Sequence, residues 1–413
     1  MEILLVTSGW PARDQGEFLE DEIESLAQVF EKVTIAPMRP AGPVKVDLPR
    51  RVSVDLSLSQ HLASLRHAPT RYARKLTAAR RVALPNRSGF GFTRSELIQD
   101  GKDLRWLRQS LLGRADSASV AGWARRRGAP ALAYTFWLGP ATAGLRTAWP
   151  RTPLVSRVHG GDLYPSAHGW ESIPFQRAAV QAVDYLATVS AHGRESLIER
   201  YPSAIDKTKV HRLGIMDIGP MFGQPDRAAL RILSASSVDD NKRVELIAQV
   251  ALHLAHTRGP VEWTHLGAGP GWDHLQRLSR LGNPRLVTNF PGQVALERVH
   301  QELKSGKHNV FINLSMSEGA PVSLMEAQSV GLPVVATAVG GTPEVVPHDL
   351  NELIAPAATV SDIAQAVERA ATRPDQEREE RRRIWSQNYD ADINYPFWSG
   401  ELCRLATERR NST

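Results

Sequence analysis

Short, almost wholly apolar runs recur along the chain. They fall at residues 2–7, 33–37, 131–137, 153–159, 183–190, 231–236, 261–266, 287–294, 310–314, 334–337 and 354–356. Glycine, proline or small polar residues bound each run, and runs of this length read as strands buried on both faces of a parallel sheet. Helical stretches lie between them. One ends near Phe30, one runs from a serine cap at Ser190 to Tyr201, and one ends near His256. A further helix is predicted from Pro321 to Val330 and another from Val360 to Ala371. Pro321 suits a helix start because its missing N–H is an orphan there anyway, and Gly331 followed by Pro333 supplies a stop. Strand–helix alternation of this kind predicts an α/β architecture in two blocks, 1–214 and 229–386. The Gly- and Pro-bearing residues 215–228 join the blocks, and 387–413 form a terminal helix. Residues 49–113 break the rhythm and read as an irregular insert.

Composition changes this picture little. A chain of 413 residues with 42% apolar and 23% charged residues is an ordinary globular protein of two to three domains. The single cysteine, Cys403, leaves no disulfide framework and no cysteine-based metal site. No apolar run approaches the roughly 18–20 residues that a spanning helix needs. Residues 1–10 lack the basic start and long apolar core of a signal peptide, so a cytoplasmic protein is expected.

Charge changes it more. The net charge is +6, yet residues 61–108 hold eleven Lys or Arg against three acids, a local +8. Arg71, Arg74, Lys75 and Arg81 share one helical face, and Tyr72, Leu76, Ala79 and Ala83 another. Such a segment suits peripheral contact with an anionic membrane. A solvated face of an insert stands beside that reading. No nucleic-acid-binding motif accompanies the charge, and nucleic acid is not an expected partner.

The richest stretch is 317–346, SEGAPVSLMEAQSVGLPVVATAVGGTPEVV. It reads as a βαβ passage whose loop, Glu318-Gly319-Ala320-Pro321-Val322, faces a helix N-terminus, where anions bind. Glu318 lies in that loop and Glu326 more than one turn inside the helix. At about 1.5 Å rise per residue, both border the crevice at the C-terminal ends of the strands. Carboxylates accept paired hydrogen bonds from vicinal hydroxyls, so two in one crevice suit a polyol. On spacing alone, a structural βαβ with two solvated glutamates stands equally open.

The stretch resembles the E-x7-E signature of family 4 glycosyltransferases, through S-E-G-x-P-V-S-x-x-E-A and G-x-P-V-V-A-T-x-V-G-G-T-P-E-V-V. S-R-x-H-G-x-D-L-Y at 156–164 resembles the capsule and exopolysaccharide branch of that family, with Gly161 where a bulky residue is usual. Many relatives carry Gly-Arg at the positions of Ser236 and Ser237. The branch instead has Ser first and a later Lys-Arg, matched here by Lys242 and Arg243. Residues 267–270 resemble the family's GxGP turn, which is mainly structural.

The resemblance implies a GT-B fold: two Rossmann-like, doubly wound domains across a deep cleft, with the C-terminal helix crossing back to the first domain. It implies a metal-independent, retaining transferase that takes a UDP- or GDP-sugar as co-substrate and needs no cofactor. Lys242, assisted by Arg243, Gly319, Ala320, Pro321 and Val322, would receive the diphosphate, and Gly16 would lie near it. Glu318 and His159 would act at the sugar, Glu326 would take the ribose, and Phe290 would mark the segment beside the base. Glu17, Asp162 and Tyr164 would stand on the acceptor side. The implied acceptor is a glycan or a lipid-linked sugar. A small natural-product acceptor, a non-catalytic sugar-nucleotide-binding subunit, and an epimerase or phosphorylase on the same fold are the alternatives. Asp390-Ala391-Asp392 reads as a helix cap and not as a D-x-D metal motif.

Overall fold

The structure, a computed structural model, describes residues 1–11, 19–39, 47–66, 103–225, 228–279 and 283–410. The chain forms two compact units, Met1–Arg212 with Asp392–Thr413, and Leu213–Ala391.

In the first unit the elements run β1 (Glu2–Thr7), α1 (Glu20–Val29), β2 (Lys32–Pro37), β3 (Val52–Val54), α2 (Ser57–Arg66) and α3 (Leu104–Ala124). Then follow β4 (Leu132–Thr135), α4 (Pro140–Ala148), β5 (Leu154–Val158), the single turn α5 (Gly160–Leu163), α6 (Gln176–Ala182), β6 (Tyr185–Thr188), α7 (Ala191–Arg200) and β7 (Thr208–Val210). The seven strands are parallel in the order β3-β2-β1-β4-β5-β6-β7, a doubly wound sheet whose order reverses between β1 and β4. The period of two in β1 explains its two cores. Ile3 and Leu5 meet α1 and the terminal helix through Ile23, Leu26, Trp398 and Leu402. Leu4 and Val6 fall in the opposite core, with Leu58, Val120 and Leu145. Ser190 caps α7 as predicted, its hydroxyl accepting the Gly193 N–H at 3.1 Å.

The second unit runs β8 (Leu230–Ala235), α8 (Val244–Thr257), β9 (Val261–Leu266), α9 (Trp272–Ser279), β10 (Leu286–Gly292), α10 (Leu296–Lys304), β11 (Val310–Asn313), α11 (Val322–Ser329) and β12 (Val334–Thr337). It continues with the single turn α12 (Thr342–Val345), β13 (Glu352–Ile354), α13 (Val360–Ala371) and α14 (Glu377–Tyr389). Its sheet is parallel in the order β10-β9-β8-β11-β12-β13, reversing between β8 and β11. Helices α8 and α13 cover one face through Ile247, Val250, Leu254, Ile363 and Val367. The terminal helix α15 (Ala391–Arg410) then returns to the first unit.

Four expectations change. Residues 49–113 are not simply irregular, because their described parts hold β3, α2 and the first half of α3; Trp106 is buried there and donates to the Ser172 carbonyl at 2.9 Å. The last strand falls at Glu352–Ile354, two residues early, because Asn351 anchors its start by accepting the Val334 N–H at 3.0 Å. Gly340-Gly341-Thr342-Pro343, whose residue types predict a turn, continues into α12. The described residues of 215–228, which are 215–225 and 228, and residues 387–391, expected as linker and terminal segment, belong to the second unit. Ile215 bridges to Asp390 there, donating to the Tyr389 carbonyl at 2.9 Å and accepting from Ala391 at 3.1 Å.

Candidate active site

In the second unit two loops leave the sheet where the strand order reverses. The loop after β8 is shaped by Asp239, whose carboxylate accepts the Ser237 hydroxyl at 2.5 Å and the Lys242 N–H at 3.0 Å. Asn241 ties it to the loop after β11. Its carbonyl accepts the Met316 N–H at 2.8 Å and its amide donates to the Ser317 carbonyl at 3.1 Å. The two loops therefore hold Lys242 against Glu318, with Nζ 2.6 Å from Oε1. The Glu318 backbone is fixed by the Gly341 N–H, 3.2 Å from its carbonyl.

Arg243 turns the other way. It sits at φ +48 as the residue before α8 and donates to the Leu314 carbonyl at 2.5 Å, the Pro356 carbonyl at 3.1 Å and the Thr337 hydroxyl at 3.0 Å. Its guanidinium thus closes the C-terminal ends of β11 and β12, and burial lowers its pKa. Pro321 occupies the cap position of α11 rather than its first turn, and Gly331 ends the helix at φ +81 as expected. Gly319, Pro321 and Val322 are buried, with Ala320 half-buried between them. Glu326 lies buried on α11 with Oε1 3.2 Å from His300 Nε2 on α10. Phe290 is half-buried, its ring edge-on to Trp263 at 4.8 Å between centroids, so the ring serves the core.

The first unit holds the other candidates. His159 directly follows β5, with its ring 4.4 Å from Phe136 and 4.6 Å from Trp137 between centroids. Neither ring nitrogen meets a protein partner in good hydrogen-bond geometry among the described residues. Burial, then the Arg157 charge, holds its pKa well below the usual histidine value, so the imidazole is neutral. Asp162 is a backbone clamp. Its two oxygens accept the N–H groups of Leu138 and His159, each at 2.6 Å, joining the loops after β4 and β5. Burial pushes it up to about 8 against the pull of those N–H groups. Tyr164 is buried, its hydroxyl 2.7 Å from His192 Nδ1. Gly16 and Glu17 lie outside the described residues, as does most of the basic segment, 67–102.

The sequence reading missed His300. It is a lone histidine on a polar helix, and its partner is 26 residues away, so no local signal marks it. Among the described residues, no three His, Cys, Asp or Glu side chains group as a metal site, and no helix is long and apolar enough to cross a membrane.

Two parallel-sheet, Rossmann-like units make this a GT-B fold. The crystal structure of Anabaena Alr3699/HepE in complex with UDP superposes with a TM-score of 0.61 at 17% identity, covering 100% of both chains. Residues 229–373 match the family model described as glycosyl transferases group 1. The phosphatidylinositol N-acetylglucosaminyltransferase GPI3 subunit of Saccharomyces cerevisiae is 29% identical over 32% of this chain and 28% of its own length. The amylovoran biosynthesis glycosyltransferase AmsK of Erwinia amylovora is 28% identical over 37% of this chain and 39% of its own. The chain thus spans less than half the length of these curated relatives.

Proposed function

We propose that the chain is a retaining glycosyltransferase that moves a sugar from a UDP- or GDP-sugar to a glycan or lipid-linked acceptor during assembly of a surface polysaccharide. The observation that carries this reading is the pairing of Lys242 with Glu318 beside the start of α11, with Glu326 inside the same helix. Lys242 is a compact cation for a diphosphate, and the N-terminus of α11 adds its dipole and unpaired N–H groups. Together they stabilise the charge that grows on the leaving diphosphate, with no metal required. Glu318 holds the donor sugar's hydroxyls and Glu326 the ribose hydroxyls. His159 supplies a neutral imidazole for the sugar, which suits a hydrogen-bonding contact and not a second cation. Arg243 supports the site by holding the strand ends together.

The UDP in the HepE structure supports the donor class, and the AmsK name supports polysaccharide assembly. The yeast relative's name contains a lipid, which supports a lipid-linked acceptor. A cytoplasmic protein held at the inner face of the membrane by the basic segment fits that acceptor. The test is binding and turnover with a panel of UDP- and GDP-sugars. Glu326→Gln should weaken nucleotide binding about tenfold or more, the worth of a hydrogen bond to a charged group. Glu318→Gln should mainly lower turnover. The reverse pattern overturns these roles, absence of binding to any donor overturns the function, and a product of inverted anomeric configuration overturns retention.

A further inference from the structure

We infer that His300 is a positioning residue of the nucleotide pocket, holding the Glu326 carboxylate in the orientation that receives the ribose. This rests on the donor reading given above. The Glu326 side chain is 8% exposed, and its Oε1 lies 3.2 Å from His300 Nε2. A glutamate has three rotatable side-chain bonds, so an unheld carboxylate samples several orientations that a diol cannot use. One N–H from His300 fixes it. That bond uses one of about four acceptor sites, and Oε2 has no hydrogen-bond partner among the described residues. The carboxylate is therefore oriented by the protein yet left with capacity for two hydroxyls.

Another His–Glu contact of this unit, His308 with Glu302, shows what a purely structural pair looks like. His308 and Glu302 are both sealed, 6% and 7% exposed, and Arg298 also pairs with Glu302. His300 is 27% exposed, and no cation competes with it for Glu326 among the described residues. One pair is closed into the fold, whereas the other is open on the histidine side.

The experiment measures UDP, GDP and their 2′-deoxy forms binding to the wild type and to His300→Ala, His300→Gln and His308→Ala. His300→Ala should lose about tenfold in affinity for the ribonucleotide, the size of one hydrogen bond to a charged group. Its preference for the ribonucleotide over the 2′-deoxy form should shrink to less than about a third of the wild-type ratio. His300→Gln, which keeps an N–H donor of similar reach, should recover most of both. His308→Ala should lower the melting temperature and leave the ratio unchanged. An unchanged ratio in His300→Ala, or equal losses for both nucleotide forms, overturns the role of His300 while leaving the donor reading intact. Failure of the wild type to bind either nucleotide overturns the donor reading itself.

Discussion

Arg157→Met tests how the terminal helix is held to the first unit. Arg157 on β5 and Glu22 on α1 form an ion pair with both side chains at 0% exposure. The Glu22 carboxylate also accepts the Tyr134 hydroxyl at 2.8 Å and the Trp398 indole N–H at 2.9 Å, so one buried charge gathers α1, β4, β5 and α15. The second guanidinium nitrogen donates to the carbonyls of His211 and Arg212, both at 3.3 Å. The guanidinium also lies 5.3 Å from the Trp398 ring centroid and 5.9 Å from that of Tyr395.

Methionine keeps most of the buried volume but removes the cation. Glu22 is then left charged in a sealed site with two neutral donors, and two carbonyls lose their donor. Breaking a buried pair from one side costs about 3–5 kcal/mol. Against a domain stability of about 5–15 kcal/mol this is a large fraction. Glu22→Gln should cost a comparable amount by stranding Arg157. The double variant should cost less than the sum, because neither charge is then left alone, with a coupling of about 2 kcal/mol. Native-state hydrogen exchange of amides in β5 and α15 reports this unit separately from the other. A cost below about 1 kcal/mol for Arg157→Met, or strict additivity in the double variant, would refute the reasoning.

Two further outcomes are expected. Burial holds His211 and His265 down at about 4, with the Arg157 charge adding to the effect at His211. Both folded values lie below the unfolded value near 6.5, so each contributes stability that is present above about pH 6.5 and lost as pH falls towards 4. A difference of about 2.5 units corresponds to at most about 3 kcal/mol per histidine. Denaturant titrations at pH 7, 6 and 5 should show this loss, and His265→Asn should flatten it in the second unit. Gly267→Ala should destabilise that unit by about 1–3 kcal/mol, read as a lower melting temperature. The glycine sits at φ +135, and an added Cβ would lie 1.9 Å from the Ser236 carbonyl oxygen. A neutral outcome would mean that the turn at 267–270 is not held by that approach.

Separation along the chain divides what was legible in the sequence from what was not. β1 and β12, the helix at Val360–Ala371, the Ser190 cap and the left-handed Gly331 each depend on neighbours within a few residues, and local pattern is enough to see them. The same holds for Glu318 and Glu326, whose shared helix start is written in one βαβ passage. The pairings that orient them are not local. Lys242 and Glu318 are 76 residues apart, and His300 and Glu326 are 26 apart. Glu22 reaches Trp398 across 376 residues. Strand order in each parallel sheet, and for Trp398 the return of α15 to the first unit, brings these groups together. The family resemblance gives Lys242 and Arg243 one role, at the diphosphate. The sheet separates them: one faces Glu318, and the other spans the ends of β11 and β12. The loops after β4 and β5 do the same to Asp162, which the resemblance puts on the acceptor side while both its oxygens already hold backbone N–H groups. Residue type and local position thus find the region of a site. The partners that fix each side chain decide which residues there remain free to meet a ligand.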